Sequence, residues 1–248
     1  MHISHNSQLD HPATTISRRT FIAKKQFMRQ IYQEWYRLLK QNLPQRDAII
    51  IELGSGPGFL SSVLPQAISS DVLLLPYLDV VMNGMHLPLD QSSVDALLLV
   101  DVFHHIPDVN AFFTQTERVL RVGGRLVMIE PWITRWSHWI YTRFHHEVLD
   151  LESTDWSFPS TGPLSGANQA LPWNVFHRDR SIFQEKFPNL KIVSIQPMMP
   201  ITYIMGGGFS LRASLPGFTF PIIRWIENKL IGEEKAGMFC LVVLEKTK

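Results

Sequence analysis

The segment Ala48–Leu60, AIIIELGSGPGFL, constrains the fold more than any other stretch of the chain. Four apolar residues lead to Glu52, and glycine then returns at 54, 56 and 58. A short apolar run closed by glycines reads as a buried strand of a parallel sheet. In open parallel sheets, ligands bind beyond the carboxyl ends of the strands, beside the loop that follows the first one. Glycine removes the Cβ, so a ligand can lie against the main chain there. Pro57 suits the first turn of a helix begun by FLSSVL, whose unpaired amides would favour a carboxylate or phosphate.

Further apolar runs, AISSDV, LDVVMN, VDALLLV and RLVMIEP, alternate with helix-like segments, and LKIVSIQPMM and GMFCLVVLEK follow near the end. The class is therefore α/β, a mainly parallel sheet with helices on its faces and a last strand that returns beside its predecessor. Ahead of the sheet, residues 1–16 read as a polar tail and 17–44 as an amphipathic helix with a basic outer face, to which no function is assigned. The pattern describes one domain over 1–248, with a core at 45–135 and cap or lid segments at 136–190 and 197–236.

A formal charge of +1 lacks the basicity expected of a nucleic-acid partner. The single cysteine, Cys240, has no intramolecular partner, and the polar start lacks the apolar core of a signal peptide, so a cytoplasmic location is expected. No window reaches the roughly 18 apolar residues of a membrane span.

A dinucleotide fingerprint wants a glycine three positions after Gly56, where the chain has Phe59. E-L-G-S-G-P-G instead resembles the first motif of class I S-adenosylmethionine-dependent methyltransferases. The similarity continues through LPLDQSSVDALLLVDVFHHIPD and FFTQTERVLRVGGRLVMIEP, over about residues 45–135. The resemblance implies a Rossmann-like sheet of seven strands with an antiparallel last strand, and S-adenosyl-L-methionine bound over strands one to four. Gly54, Ser55, Gly56 and Gly58 would then carry the amino-acid end of the cofactor, with Glu52 fixing the loop. Asp71, at the end of the second strand, would accept from the ribose hydroxyls, with Asp79 as the alternative. Where the family often has Asp-Ala at the end of strand three, this chain has Asn83 and Gly84, a weaker acceptor for the adenine amino group. Met85 and Leu87 are candidates for apolar packing on that ring. Asp101 and Val102 occupy positions that commonly line the methionine and ribose side, although Asp101 could equally cap the next helix.

Methyl transfer from a sulfonium needs alignment and, for a hydroxyl acceptor, a destination for the proton. It needs no metal in principle, and His145-His146-Glu147 is not read as a metal site because adjacent ligands on a helix diverge and no H-E-x-x-H spacing appears. His104, His105, Glu130 and His145 are the candidate bases. Trp132, Trp136, Trp139, Trp156 and Trp173 stand in sequence near Asn168, His177, Arg178 and Asp179. They form either a platform for an uncharged or sugar-like acceptor or ordinary core. Ser160, then Gly162 to Asn168 after an interrupting Thr161, is similar to an S-G-P-L-S-G-A-N stretch of one methyltransferase subgroup.

Two functions stay open. One is methyl transfer to a hydroxyl or carboxyl of a small molecule, glycan or lipid-linked precursor. The other is a cofactor-binding regulatory or assembly subunit of the same fold, and aminopropyl transfer is set aside for want of an acidic polyamine site. Residues 197–223, with Arg212 as their one charge, read as a lid, a core or dimer element, or a peripheral membrane contact. The chain is expected to be a monomer or homodimer.

Overall fold

The computed structural model describes residues 10–44, 48–145, 147–160, 162–208 and 214–248. Its seven strands are β1 (Ile50–Leu53), β2 (Ile68–Asp71), β3 (Val80–Val81), β4 (Val94–Val100), β5 (Leu120–Pro131), β6 (Leu190–Met198) and β7 (Phe239–Lys246). They lie in the order β3-β2-β1-β4-β5-β7-β6. Strands β1 to β5 pair in parallel, whereas β7 runs antiparallel between β5 and β6. The expected class and the antiparallel last strand are both found. Reversal of order at β1 and β4 creates the crevice at which open α/β sheets bind ligands.

Strands β1 and β4 are buried almost without alternation, Glu52 and Asp95 included, because both sheet faces are covered. One face packs against α3 (Val109–Val119) and α5 (Arg180–Lys186) through Phe103, Phe112, Phe113, Phe176 and Phe183. The other packs against α2 (Gln26–Gln41) and α4 (Arg135–Phe144) through Phe27, Ile31, Trp35, Leu39 and Ile140.

Two local expectations differ from the structure. The N-terminal segment is two helices, α1 (Pro12–Lys24) and α2, broken at Lys25, whose extended backbone has φ −98° and ψ 103°. The break turns α1 across the sheet's carboxyl edge. After β1, FLSSVL makes only the 3₁₀ turn Leu60–Ser62. Pro65 disfavours a helical Leu64, and two serines compete with helix for backbone partners, so no extended helix N-terminus faces the glycine loop.

Among the described residues between β6 and β7, two segments are fastened to α2. A helical turn, Thr202–Met205, stacks Tyr203 on Trp35 at 5.9 Å, and α6 (Phe220–Ile226) sets Phe220 edge-on to Phe27 at 5.4 Å. Arg224 on α6 bonds Glu34 of α2 at 2.7 Å, Glu233 at 2.7 Å and the fully buried Glu227. Glu227 also accepts from the amides of Ile201 and Thr202. Arg224→Met is expected to cost about 2 kcal/mol in urea unfolding: Glu227 keeps its amide donors, while Glu34 and Glu233 reach water. Arg212 lies outside the described residues.

Candidate active site

The loop after β1 is shaped by its own hydrogen bonds. Ser55 donates its hydroxyl to Glu52 Oε2 at 2.6 Å, its amide bonds the Ser70 carbonyl, and the Ser70 hydroxyl donates to the Glu52 carbonyl at 2.7 Å. Burial pushes the Glu52 carboxyl up to about 7 against the Ser55 bond. Gly54 has φ +67°, and a Cβ there would sit 2.6 Å from Val102 Cγ2. Gly58 is glycine for a different reason: a Cβ would meet the Tyr36 hydroxyl of α2 at 2.5 Å. That hydroxyl accepts from the Phe59 amide at 2.8 Å. Its small size at 58 thus serves the packing of α2, although the residue also borders the cavity.

Above the loop opens a cavity of about 550 Å³. This is within the size range of cofactor pockets. Its floor is Glu52 to Gly58 with Asp71, Asn83 and Gly84. Asp71 accepts from the Gly56 amide at 2.9 Å and from the Leu73 amide at 2.9 Å, and burial raises its pKa in spite of both. Asp79 is exposed, bonds Ser69 and does not border the cavity. Asn83 Oδ1 accepts from the Met85 amide at 2.9 Å, and both residues border the cavity. Leu87 instead lies in the core.

Asp101 closes β4 with φ +61°, an unusual backbone for a side-chain-bearing residue, and borders the cavity beside Val102. Burial pushes its carboxyl up to about 7. It does not cap α3: Asp108 does, accepting from the Ala111 amide at 3.0 Å.

The four candidate bases occupy different positions. Glu130 is fully buried and committed: it accepts from the Val102 amide at 2.8 Å, the Phe103 amide at 2.7 Å and His104 Nδ1 at 2.8 Å. It does not border the large cavity, and its bonds hold the turn after β4. His104 is buried behind that turn. Burial opposes its charge, but Glu130 and Glu147 outweigh this and hold its pKa well above the imidazole range. His105 faces the cavity, with Nδ1 2.9 Å from the Gly166 carbonyl; burial, then the charge on His104, lowers its pKa to about 4. His145 also borders the cavity, its Nε2 3.1 Å from Gln169 Nε2.

The sequence reading missed several cavity residues. Glu147 stands 3.6 Å from His104 Nε2 and 3.9 Å from His105 Nε2; His146 lies outside the described residues. Arg18 and Tyr32 enter from α1 and α2, while Tyr203 enters from the segment before β7. Arg19 donates to the Gly58 carbonyl and lies 4.0 Å over the Tyr77 ring, so part of the basic face of α1 is turned onto the glycine loop. Asp10 accepts from the amides of Leu164 and Ser165 at 2.7 and 3.0 Å, fastening the start of α1 to the loop at Ser160 and Gly162 to Leu164 that roofs the cavity. Thr161 lies outside the described residues.

No tryptophan borders the cavity. Trp132 and Trp156 are core, Trp136 stacks on Trp139 and donates to the Pro200 carbonyl, and Trp156 donates to Asp179, which Arg178 also holds. Trp173 packs on His177 at 4.9 Å, and Asn168 bonds the backbone of Asp150 and Ala170. Trp132 and Trp156 are thus core, Trp136 and Trp173 are half-buried against it and Trp139 is exposed, so these rings form no platform on the cavity.

Residues 51–128 match the family model described as a methyltransferase domain. An uncharacterized 37.1 kDa protein in transposon Tn4556 of Streptomyces fradiae is 32% identical over 101 residues, 33% of this chain and 29% of that protein. The match thus spans under a third of that relative's length. Among solved structures, a chain of the complex between the Haloferax volcanii Trm112 methyltransferase activator and a methyltransferase superposes with TM-score 0.56 at 16% identity, covering 99% of this chain and 98% of that one. Geranyl diphosphate C-methyltransferase from Streptomyces coelicolor A3(2), in complex with Mg2+, geranyl diphosphate and S-adenosyl-L-homocysteine, gives TM-score 0.52 at 15% identity over 91% of this chain and 82% of that one.

The chain thus shares the fold of these methyltransferase structures, and its residues 51–128, which include most of the glycine loop and β4, match a methyltransferase domain.

Proposed function

We propose that the chain methylates a hydroxyl or carboxyl of a small molecule, glycan or lipid-linked precursor held in the inner half of the cavity. One observation carries this reading: a single cavity has the glycine loop, Asp71 and Asn83 on one side and His105, His145 and Glu147 on the other. The donor set fits the cofactor. Asp71 suits the vicinal ribose hydroxyls, Asn83 and the chain at Met85 suit the adenine edge, and the loop backbone with Asp101 and Tyr32 suits the amino-acid end.

Bound S-adenosylmethionine would supply an electrophilic methyl group, open to in-line attack by an acceptor oxygen. Glu130 holds the Val102–His104 turn in place by accepting from its amides, and His105 and Glu147 border the cavity where charge on that oxygen must be handled. Around the mouth, Tyr32, Tyr36 and Tyr203 limit water, and the roof loop fastened by Asp10 closes the opposite side. Phe218, Ile222 and Trp225 remain exposed on and beside α6, which supports a lipid-linked acceptor over a freely soluble one. Residues 197–236 serve in this reading as the acceptor-side cap. No helix among the described residues is long and apolar enough to cross a membrane.

The test is mass-spectrometric detection of S-adenosylhomocysteine release with a panel of hydroxyl and carboxyl acceptors, free, glycosidic and lipid-linked in vesicles. Release with an oxygen acceptor is expected. Tight cofactor binding without release across the panel would favour the regulatory subunit instead.

A further inference from the structure

Behind the acceptor half of the cavity, three side chains converge that are distant in sequence or adjacent on a tight turn. The ligand atoms of His104, His105 and Glu147 all lie within 4.8 Å of one another. The two histidines share the 3₁₀ turn Phe103–His105, with ring centroids 4.2 Å apart, and Glu147 arrives from the loop after α4.

Hydrogen bonds on the far side of each ring decide what faces inward. The Gly166 carbonyl can only accept, so His105 carries its proton on Nδ1 and presents the Nε2 lone pair to Glu147. Glu130, already an acceptor for two amides, likewise accepts a hydrogen bond from His104 Nδ1–H, turning Nε2 toward the same carboxylate. The Nε2 to oxygen separations of 3.6 and 3.9 Å are too long for hydrogen bonds. Two ligands on a tetrahedral ion with bonds near 2.0–2.1 Å stand about 3.4 Å apart, so small side-chain adjustments would bring these atoms onto one ion. Gln169 Nε2 donates to Glu147 Oε2 at 3.2 Å and aims that ligand.

A carboxylate behind one imidazole and a backbone carbonyl behind the other is the outer arrangement that orients metal-bound histidines. Beside the cluster is a second, polar cavity of about 30 Å³, bordered by Asp101, His104, His145 and Glu147. Its size suits a single ion or water.

We propose that His104 Nε2, His105 Nε2 and the Glu147 carboxylate bind a divalent first-row cation of the zinc type, with an open position facing the cavity. Two imidazoles and one carboxylate are a common catalytic zinc set, in which the remaining position takes an oxygen ligand and polarises it. Here that ligand is water, or the acceptor oxygen when acceptor is bound. The metal site stands on the contacts above; only the assignment of its open position to the acceptor rests on the methyl-transfer reading. Sequence spacing hid the site because Glu147 joins it across 42 residues from His105.

The full-length chain, stripped with chelator, is titrated with Zn2+ by calorimetry and loaded separately with Co2+. One Zn2+ per chain and the visible d–d absorption of four- or five-coordinate Co2+ are expected. His105→Ala and the isosteric Glu147→Gln should each weaken Zn2+ at least tenfold, whereas His138→Ala, on the exposed face of α4, should leave affinity unchanged. Thermal unfolding checks that each variant folds, and if neither site variant does, the wild-type Co2+ spectrum decides. Absence of that absorption, or Zn2+ binding indifferent to both site variants, overturns the proposal. S-adenosylhomocysteine titrated into the same samples separates the readings: retained cofactor binding without Zn2+ sinks the metal site alone, and Zn2+ binding without cofactor sinks the methyl-transfer reading alone.

Discussion

Glu130→Ala is expected to lower the unfolding free energy by about 3–5 kcal/mol, more than any other single change at the site. The alanine leaves the amides of Val102 and Phe103 and the Nδ1–H of His104 without their acceptor, in a region where Glu130 itself has no solvent exposure. Each buried donor stranded in this way costs about 1–3 kcal/mol. Glu130→Gln keeps the shape and one acceptor oxygen, so its loss should be smaller by half or more. Chemical denaturation of the three proteins measures both. A variant with wild-type stability and no turnover would instead return Glu130 to the role of base.

Asp71→Ala is expected to weaken S-adenosylhomocysteine by about ten- to a hundredfold, the worth of hydrogen bonds to a charged acceptor, about 1.5–3 kcal/mol. The carboxylate borders the cavity and is steadied by the Gly56 and Leu73 amides, so its loss removes a ribose contact and loosens the loop together. Asp79→Ala should leave the affinity unchanged, because that carboxylate is spent on Ser69 at the exposed sheet edge. Unchanged binding in the first and loss in the second would move the ribose contact to Asp79.

These two predictions divide along the line between what the sequence displays and what it hides. The glycine loop and the buried strands follow from apolar runs and glycine spacing, which are local signals, whereas the antiparallel last strand and the part given to Asp71 follow from the resemblance to a known family. Glu130 read as a base because its position at the end of β5 is visible, whereas its three donors arrive from a turn 26 to 28 residues earlier in the chain. Tyr32 and Arg18 were hidden for a related reason. A periodic helix pattern shows which residues are apolar, but the break at Lys25 that rotates α1 over the cavity has no proline or glycine to announce it. The tryptophans leave two readings open in sequence, since an indole surrounded by polar residues can still be core when its N–H finds a partner, as Trp156 does on Asp179. Glu147 carried the least signal, an acid beside two histidines in a loop, and its partners are set by tertiary contact alone.

The central claim is that the cavity over Gly54, Gly56 and Asp71 holds the methyl donor, and calorimetric titration of the purified chain with S-adenosylhomocysteine tests it most directly. One molecule bound per chain is expected, with binding abolished in Gly54→Val, whose branched side chain would drive into Val102 from a backbone at φ +67°. No heat of binding in the wild-type protein, or equal affinity in a folded Gly54→Val variant, would contradict the account.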